Sequence, residues 1–214
     1  MTFDLDVSLE QLVVRRQCTD EELDDRIGRT ILGGLRHPNP LANLRHDCFG
    51  LFQIEDFNRF VVGRFKQAEL CRFHERFEQV FEQLLAKEKI EVRGDKVRAL
   101  YGHSLRRVIV GEMKWPKTEL FHATRKRHLE SILEHGLRPQ GRTWVHLTSN
   151  ERYADTILKN HDYEGRSVLL RVVPDLLEDF DITFRKPNSH VWLVNRIPPV
   201  GIRICEPNSH SELS

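Results

Sequence analysis

Apolar residues at 23, 27, 31, 32 and 35 recur at the spacing of one helical face, which predicts a helix over residues 23–35. It should stop at Arg36-His37-Pro38, because a residue before proline avoids the helical region, and Asn39-Pro40 adds a second break. Residues 47–50 read as a turn, 51–54 as a short strand, and Glu55-Asp56 as the start of another helical stretch. The clearest helix is expected over 64–88, where Phe73, Phe77, Val80, Phe81, Leu84 and Leu85 form one apolar stripe suited to a core or a domain seam. Gly94-Asp95 then predicts a hairpin between 90–92 and 97–100.

The second half changes character. Short β-rich runs occur at 119–123, 143–147, 167–173, 191–194 and 201–204. Helices are expected over 126–135, ended by Gly136 as a left-handed cap, and over about 150–159. Many strands, few helices and no regular alternation of the two predict a mixed α+β chain. The small helices and strand-turn of the first part suggest a winged-helix-like unit, with a boundary near 90–96.

The 214 residues are 39% hydrophobic and 30% charged, with 33 Lys+Arg against 32 Asp+Glu, a net of +1. That balance excludes a basic nucleic-acid coat and an acidic disordered tail. No apolar run reaches the length of a membrane span or signal peptide, so a cytoplasmic protein without a membrane partner is expected. Cysteines 18, 48, 71 and 205 form no C-x-x-C pair, which argues against a disulfide framework or a Cys-rich zinc site. His122, His128, His135 and His146 lack metal-ligand pairing, and no metal is expected. The charge is uneven, however. Residues 1–27 hold eight acids and three bases, whereas 91–147 hold twelve bases and six acids. Arginines converging from such a window could bind phosphate bidentately.

Several fragments carry candidate chemistry: Leu35-Arg36-His37, then Asp47 and Gly50; Arg98-Ala99 with Gly102-His103-Ser104; Leu120 to Thr124; Gly136-Leu137; Arg142 to Leu147; Asn188 to Leu193; and Ile197-Pro198-Pro199. Their order and spacing over roughly 27–204 resemble the RNA 2′-phosphotransferase family. The resemblance implies two lobes: an N-terminal winged-helix-like lobe that engages RNA and a C-terminal, ADP-ribosyltransferase-like mixed-sheet lobe that holds NAD. On this basis the chain divides into an acidic leader (1–26), an RNA lobe (27–92), an NAD lobe (93–206) and a tail (207–214).

The family's Arg-His-Arg-Arg tetrad carries over to Arg36, His37, Arg98 and Arg142. Its NAD-contacting positions carry over to His103, Ser104, His122, Thr124 and His146. The implied reaction consumes NAD as co-substrate. It removes the 2′-phosphate from RNA through an ADP-ribosylated phosphate intermediate, giving RNA 2′-OH, nicotinamide and ADP-ribose 1″,2″-cyclic phosphate. Arg36, His37 and Arg98 would hold the phosphate and Arg142 would stabilise the second step. No obligate protein partner is evident. Two alternatives are transfer of ADP-ribose to another phosphorylated acceptor, such as a nucleic-acid terminal phosphate, and an inactive RNA- or phosphate-binding module. The chain departs from the family pattern at Leu100-Tyr101, Ala123, Trp144 and Ser189-His190.

Overall fold

The computed structural model describes residues 19–37, 44–47, 49–104, 108–161 and 166–205. Residues 1–18 of the expected leader, the Pro38 to Pro40 break, Cys18, Cys48 and the tail lie outside the described residues.

Helix α1 (Asp20–Arg36) starts with a reciprocal cap: Thr19 Oγ1 accepts from the Glu22 N–H at 3.2 Å, and the Glu22 carboxylate accepts from the Thr19 N–H at 2.9 Å. Asp20, Glu21 and Glu22 in the first turn suit the positive end of the helix dipole. The acid run at 20–25 is thus helix, and two of its members pair with a second helix. After β1 (Phe52–Gln53) and α2 (Ile54–Val62) comes α3 (Gln67–Ala86). Asp20 pairs with Arg72, Arg76 Nε donates to Asp24 at 2.7 Å, and Arg26 donates to Glu69 at 3.0 Å. Between those ion pairs, Leu23, Ile27, Ile31 and Leu35 of α1 are buried with Phe57, Phe73, Val80 and Leu84.

The hairpin of β2 (Ile90–Arg93) and β3 (Lys96–Ala99) forms as expected and joins β1 in a three-stranded antiparallel sheet ordered β1-β3-β2. Ile90, Val97 and Ala99 belong to the same core as α1 and α3. A boundary at 92/93 would therefore cut the hairpin; the first core runs through Ala99, because β3 is the central strand of that sheet.

The second sheet is antiparallel and seven-stranded. It contains β4 (Glu112–Met113), β5 (Leu120–Arg125), β6 (Val145–Thr148), β7 (Ser167–Val172), β8 (Phe184–Lys186), β9 (Val191–Val194) and β10 (Ile202–Ile204), in the order β10-β7-β5-β6-β9-β8-β4. Helices α4 (Leu129–His135) and α5 (Glu151–His161) accompany it. Leu120, Leu170, Val172, Val194 and Ile202 make its core. The architecture is mixed α+β, as expected. The predicted helix over 126–135 opens with a 3₁₀ turn at Lys126–His128. Gly136 has positive φ (81°) but ψ of 177°, so it ends α4 in an extended mirror conformation rather than a left-handed helical one. Its N–H still donates to the Ile132 carbonyl at 2.8 Å, while the chain leaves straight to pair Leu137 with Ile197. Among the described residues, no helix is long and apolar enough to cross a membrane.

Candidate active site

Arg36 is the last residue of α1 and His37 its cap, with the His37 N–H donating to the Gly33 carbonyl at 2.9 Å. The run 101–104 is fastened to this helix end. Ser104 donates its N–H to the Arg36 carbonyl at 3.1 Å and its hydroxyl to the same oxygen at 3.4 Å. Gly102 stands at φ +88°, and a Cβ there would lie 2.9 Å from Arg36 Nε. Only glycine allows both that backbone angle and so close an approach. The Arg36 guanidinium carbon also lies 4.8 Å from the centroid of the Tyr101 ring, a cation–π contact. A third segment is tied in at Thr143, whose N–H and hydroxyl reach the His103 carbonyl at 3.0 and 3.2 Å. Arg142 is thereby held next to the end of α1.

These segments border a cleft of about 800 Å³, closed by β5, β6, the 137–142 loop and α5. Its charged lining is Arg36, Lys89, Arg138 and Arg142, with His37, His122 and His146. Among its described lining residues there is no Asp or Glu. In a chain of net charge +1 this is a segregated, one-sign surface. Burial draws the Arg36 pKa below its ordinary value, Tyr101 opposes that, and Arg142 adds to it. His37 is lowered by burial and then by Arg142 and Arg36. His146 is pushed down to about 3 by burial, with Arg142 and Arg36 adding repulsion, so it is neutral near pH 7.

The imidazoles are oriented by carbonyls. Because a carbonyl can only accept, His122 donates Nδ1–H to the His146 carbonyl at 2.9 Å, and His103 donates Nε2–H to the Ala99 carbonyl at 2.8 Å. Three polar atoms of residues at the cleft, Arg36 Nε, Trp144 Nε1 and His146 Nε2, are buried without a hydrogen-bond partner among the described residues.

Of the residues singled out in the sequence, Arg36, His37, Arg142, His122 and His146 line this cleft. His103 and Ser104 do not; they fasten its segments together. Thr124, on β5, is outside the lining. Arg98 is outside it too. The residue is 5% exposed, and its side chain pairs with Glu91 directly across the hairpin and donates to the Phe49 carbonyl at 3.0 Å. It braces the turn in which Asp47 Oδ1 accepts from the N–H groups of Phe49 and Leu51 at 2.9 and 3.0 Å. Arg98 thus ties β3 to β2 and to the Phe49 carbonyl and does not border the cleft. Conversely, Lys89, Arg138 and Tyr153 line the cleft and were not singled out. Tyr101 and Trp144 stood out in the sequence only as departures from a pattern, which was a usable signal.

An α+β protein whose cleft is lined by Arg36, Arg142 and His37, with no carboxylate among the described lining residues, has the chemistry of a site for an anionic ligand. Comparison with known proteins gives that class a family. The family model described as RNA 2′-phosphotransferase, Tpt1/KptA family, matches residues 22–196, and the chain belongs to this family. A relative from Acetivibrio thermocellus named "Probable RNA 2′-phosphotransferase" is 38% identical over 117 residues, 55% of this chain. Relatives of the same name from Thermococcus kodakarensis and Herpetosiphon aurantiacus are each 29% identical, over 181 and 185 residues, or 84% and 86% of this chain. The chain spans 63% of the length of the Acetivibrio relative, and 96% and 98% of the other two.

Proposed function

We propose that this protein removes the 2′-phosphate from RNA in a reaction that consumes NAD. The reading rests on one observation: Arg36, His37 and Arg142 meet in a cleft whose described lining holds no carboxylate. A transferase of the kind that relies on a glutamate in its site would need one there. A phosphate dianion needs no base to act as a nucleophile; it needs partial neutralisation and orientation, which planar guanidinium groups give without exchanging a proton.

The cleft also fits a dinucleotide. About 800 Å³ is within the range of cofactor sites, and Phe121, Trp144, Val145 and Ile157 supply apolar wall. The unpartnered Trp144 Nε1 and His146 Nε2 are polar groups in need of a ligand partner. His122 and His146 would hold NAD there, with the β5 strand at Ala123 beside it. When bound, NAD supplies an electrophilic ribose carbon with nicotinamide as its leaving group. The protein's part is positional. Arg36, stacked on Tyr101, and Arg142, held by Thr143, would grip the phosphate, and neutral His37 would add a hydrogen bond. In the later step, charge gathers on phosphoryl oxygens, and Arg142 would be the donor aimed at it. Arg98 supports this grip from outside the cleft in our reading.

In the same reading the first core is the winged-helix-like RNA lobe and the second sheet the ADP-ribosyltransferase-like NAD lobe of a cytoplasmic enzyme. The test is 2′-phosphorylated RNA with and without NAD. Nicotinamide and RNA 2′-OH should form only when both are present. RNA ending as a stable ADP-ribosyl conjugate in the wild type would overturn the phosphate-removal step, and turnover without NAD would overturn the whole scheme. Arg142→Ala should release nicotinamide yet stall before RNA 2′-OH appears.

A further inference from the structure

Two aromatic side chains of the cleft wall already have partners. Tyr101 lies against the Arg36 guanidinium at 4.8 Å and meets the His146 ring at 6.2 Å and 65°, and the Arg185 guanidinium carbon stands 5.9 Å from the Trp144 centroid. Tyr153 differs. It lines the cleft from the first turn of α5 and is 39% exposed. Its ring neighbours that of His190, with centroids 6.4 Å apart and planes inclined at 34°, and His190 is exposed as well. Neither ring belongs to a hydrophobic core, so packing does not account for the pair.

Both rings stand on fixed backbone. Asn150, the residue before α5, accepts the Tyr153 N–H on Oδ1 at 3.0 Å, and its own N–H donates to Thr148 Oγ1 at 3.1 Å. His190 sits in a tight turn closed by Asn188, whose Oδ1 accepts the N–H groups of His190 and Val191 at 3.0 and 2.6 Å. Glu88, between α3 and β2, clasps that turn: its carbonyl accepts from Asn188 Nδ2 at 2.8 Å, and its carboxylate accepts from the Ser189 N–H at 2.7 Å and from the Ser189 hydroxyl. The Ser189-His190 pair, where the chain departs from the family pattern, therefore brings a ring to the rim of the cleft, next to Val191 in its lining.

The neighbours of the pair say what it suits. Tyr153 is near enough to Arg36 and Tyr101 for its phenol to bear on the titration of both, so the rings stand toward the end of α1. Cations beside exposed aromatic rings are the means by which single-stranded nucleic acid is held: the cations track the backbone and the rings stack on bases.

We propose that Tyr153 and His190 form a stacking platform for a nucleobase of the RNA beside its 2′-phosphate. This rests on the cleft receiving 2′-phosphorylated RNA. NAD, in that reading, lies against the half-buried His122 and His146, whereas the exposed rim is open to a chain that continues past the site. Stacking uses the π-face that every base has, so the platform accepts any of the four bases.

The test is equilibrium binding of a short 2′-phosphorylated RNA to the full chain without NAD, so that nothing turns over. It is repeated with two abasic versions, lacking the base on the phosphorylated nucleotide or on the one that follows it. One of the two removals should weaken binding to the wild type about tenfold, as loss of one base–aromatic stack gives. Tyr153→Leu should bind the intact RNA about tenfold more weakly and lose nothing further with that abasic RNA. Tyr153→Phe keeps the ring and should retain most of the affinity, and His190→Ala should show a smaller loss of the same kind. Thermal melts show whether each variant is folded; if Tyr153→Leu is not, His190→Ala is scored by the same comparison.

A wild type that binds no 2′-phosphorylated RNA, or is indifferent to both abasic changes, overturns the proposal. So does an equal loss by Tyr153→Leu on intact and abasic RNA, which would leave the two rings only the task of joining α5 to the 188–190 turn. So does a loss by Tyr153→Leu confined to NAD binding, measured separately, which would place the ring against the dinucleotide. Base-dependent binding through Tyr153 in a wild type that forms no RNA 2′-OH with NAD would instead refute the proposed activity and leave the platform assigned. Full turnover with indifference to the bases would refute the platform alone.

Discussion

Gly102→Ala separates the geometry of the site from the stability of the fold. The new methyl carbon would stand 2.9, 3.0 and 3.3 Å from Arg36 Nε, Cδ and Cζ, where ordinary contact begins at 3.4 Å. Arg36 cannot retreat freely, because the Tyr101 ring lies against its guanidinium at 4.8 Å. Relief therefore moves the guanidinium by about half an ångström. Since about 1 Å of misplacement can cost around a hundredfold in rate, a loss of about tenfold is expected in single-turnover removal of the 2′-phosphate. Alanine at φ +88° also costs about 1–2 kcal/mol in backbone strain, which lowers Tm by about 2–8 °C in a chain of this size. Gly94→Ala is the control. Gly94 sits at φ +61° in the β2–β3 turn, and a methyl group added there would meet no heavy atom within 4 Å, so it carries the strain without the contact. It should lower Tm similarly and leave the rate within about twofold. Equal rate losses in both variants, or an unimpaired Gly102→Ala, would refute the role given to the Gly102–Arg36 contact.

Arg98→Ala should lower unfolding free energy by about 2 kcal/mol in urea, because it takes the donor from the Phe49 carbonyl and leaves Glu91 with Arg93 alone. A variant that loses activity with no change in stability would show that Arg98 acts on substrate instead. His103 is pushed down to about 4 by burial. Unfolded, it takes up its proton near pH 6.5, so its contribution is fully present above that pH and is lost as pH falls toward 4. His103→Gln should flatten the fall in urea midpoint between pH 7 and 4.5; an unchanged slope would contradict the burial assigned to this ring. Phe73, 1% exposed between Phe65 and Phe77, should cost about 3–5 kcal/mol when truncated to alanine, read by chemical unfolding.

Periodicity made the longer elements legible, because α1 and α3 each bury a regular set of positions. It failed where elements are too short to show a period. Phe184-Arg185-Lys186 and Glu112-Met113 are strands only because β9 and then β8 are there to pair with them. The site divides the same way. Arg36, His37 and Arg142 could be found from motif order, since each stands in a distinctive local run. Lys89 and Tyr153 could not, because what qualifies them is a cavity assembled from distant segments. The placement of Arg98 was half visible: a hairpin turning at Gly94-Asp95 sets residue 91 against residue 98, a Glu against an Arg. Net charge hid the cleft, since several of the compensating acids are taken up in the α1–α3 ion pairs.

The division of labour between the two cores also has a temporal side. The first core draws on residues between Leu23 and Ala99, so its hydrophobic contacts are all available once that stretch has left the ribosome. Arg36 and His37 are then seated before Arg142 has been translated. On the proposed activity, turnover would require the second sheet to dock, because its strands β5 and β6 line the cleft and Thr143 reaches the His103 carbonyl only then. During refolding, helical signal should return ahead of enzymatic turnover, and the lag between them measures the closing of that seam.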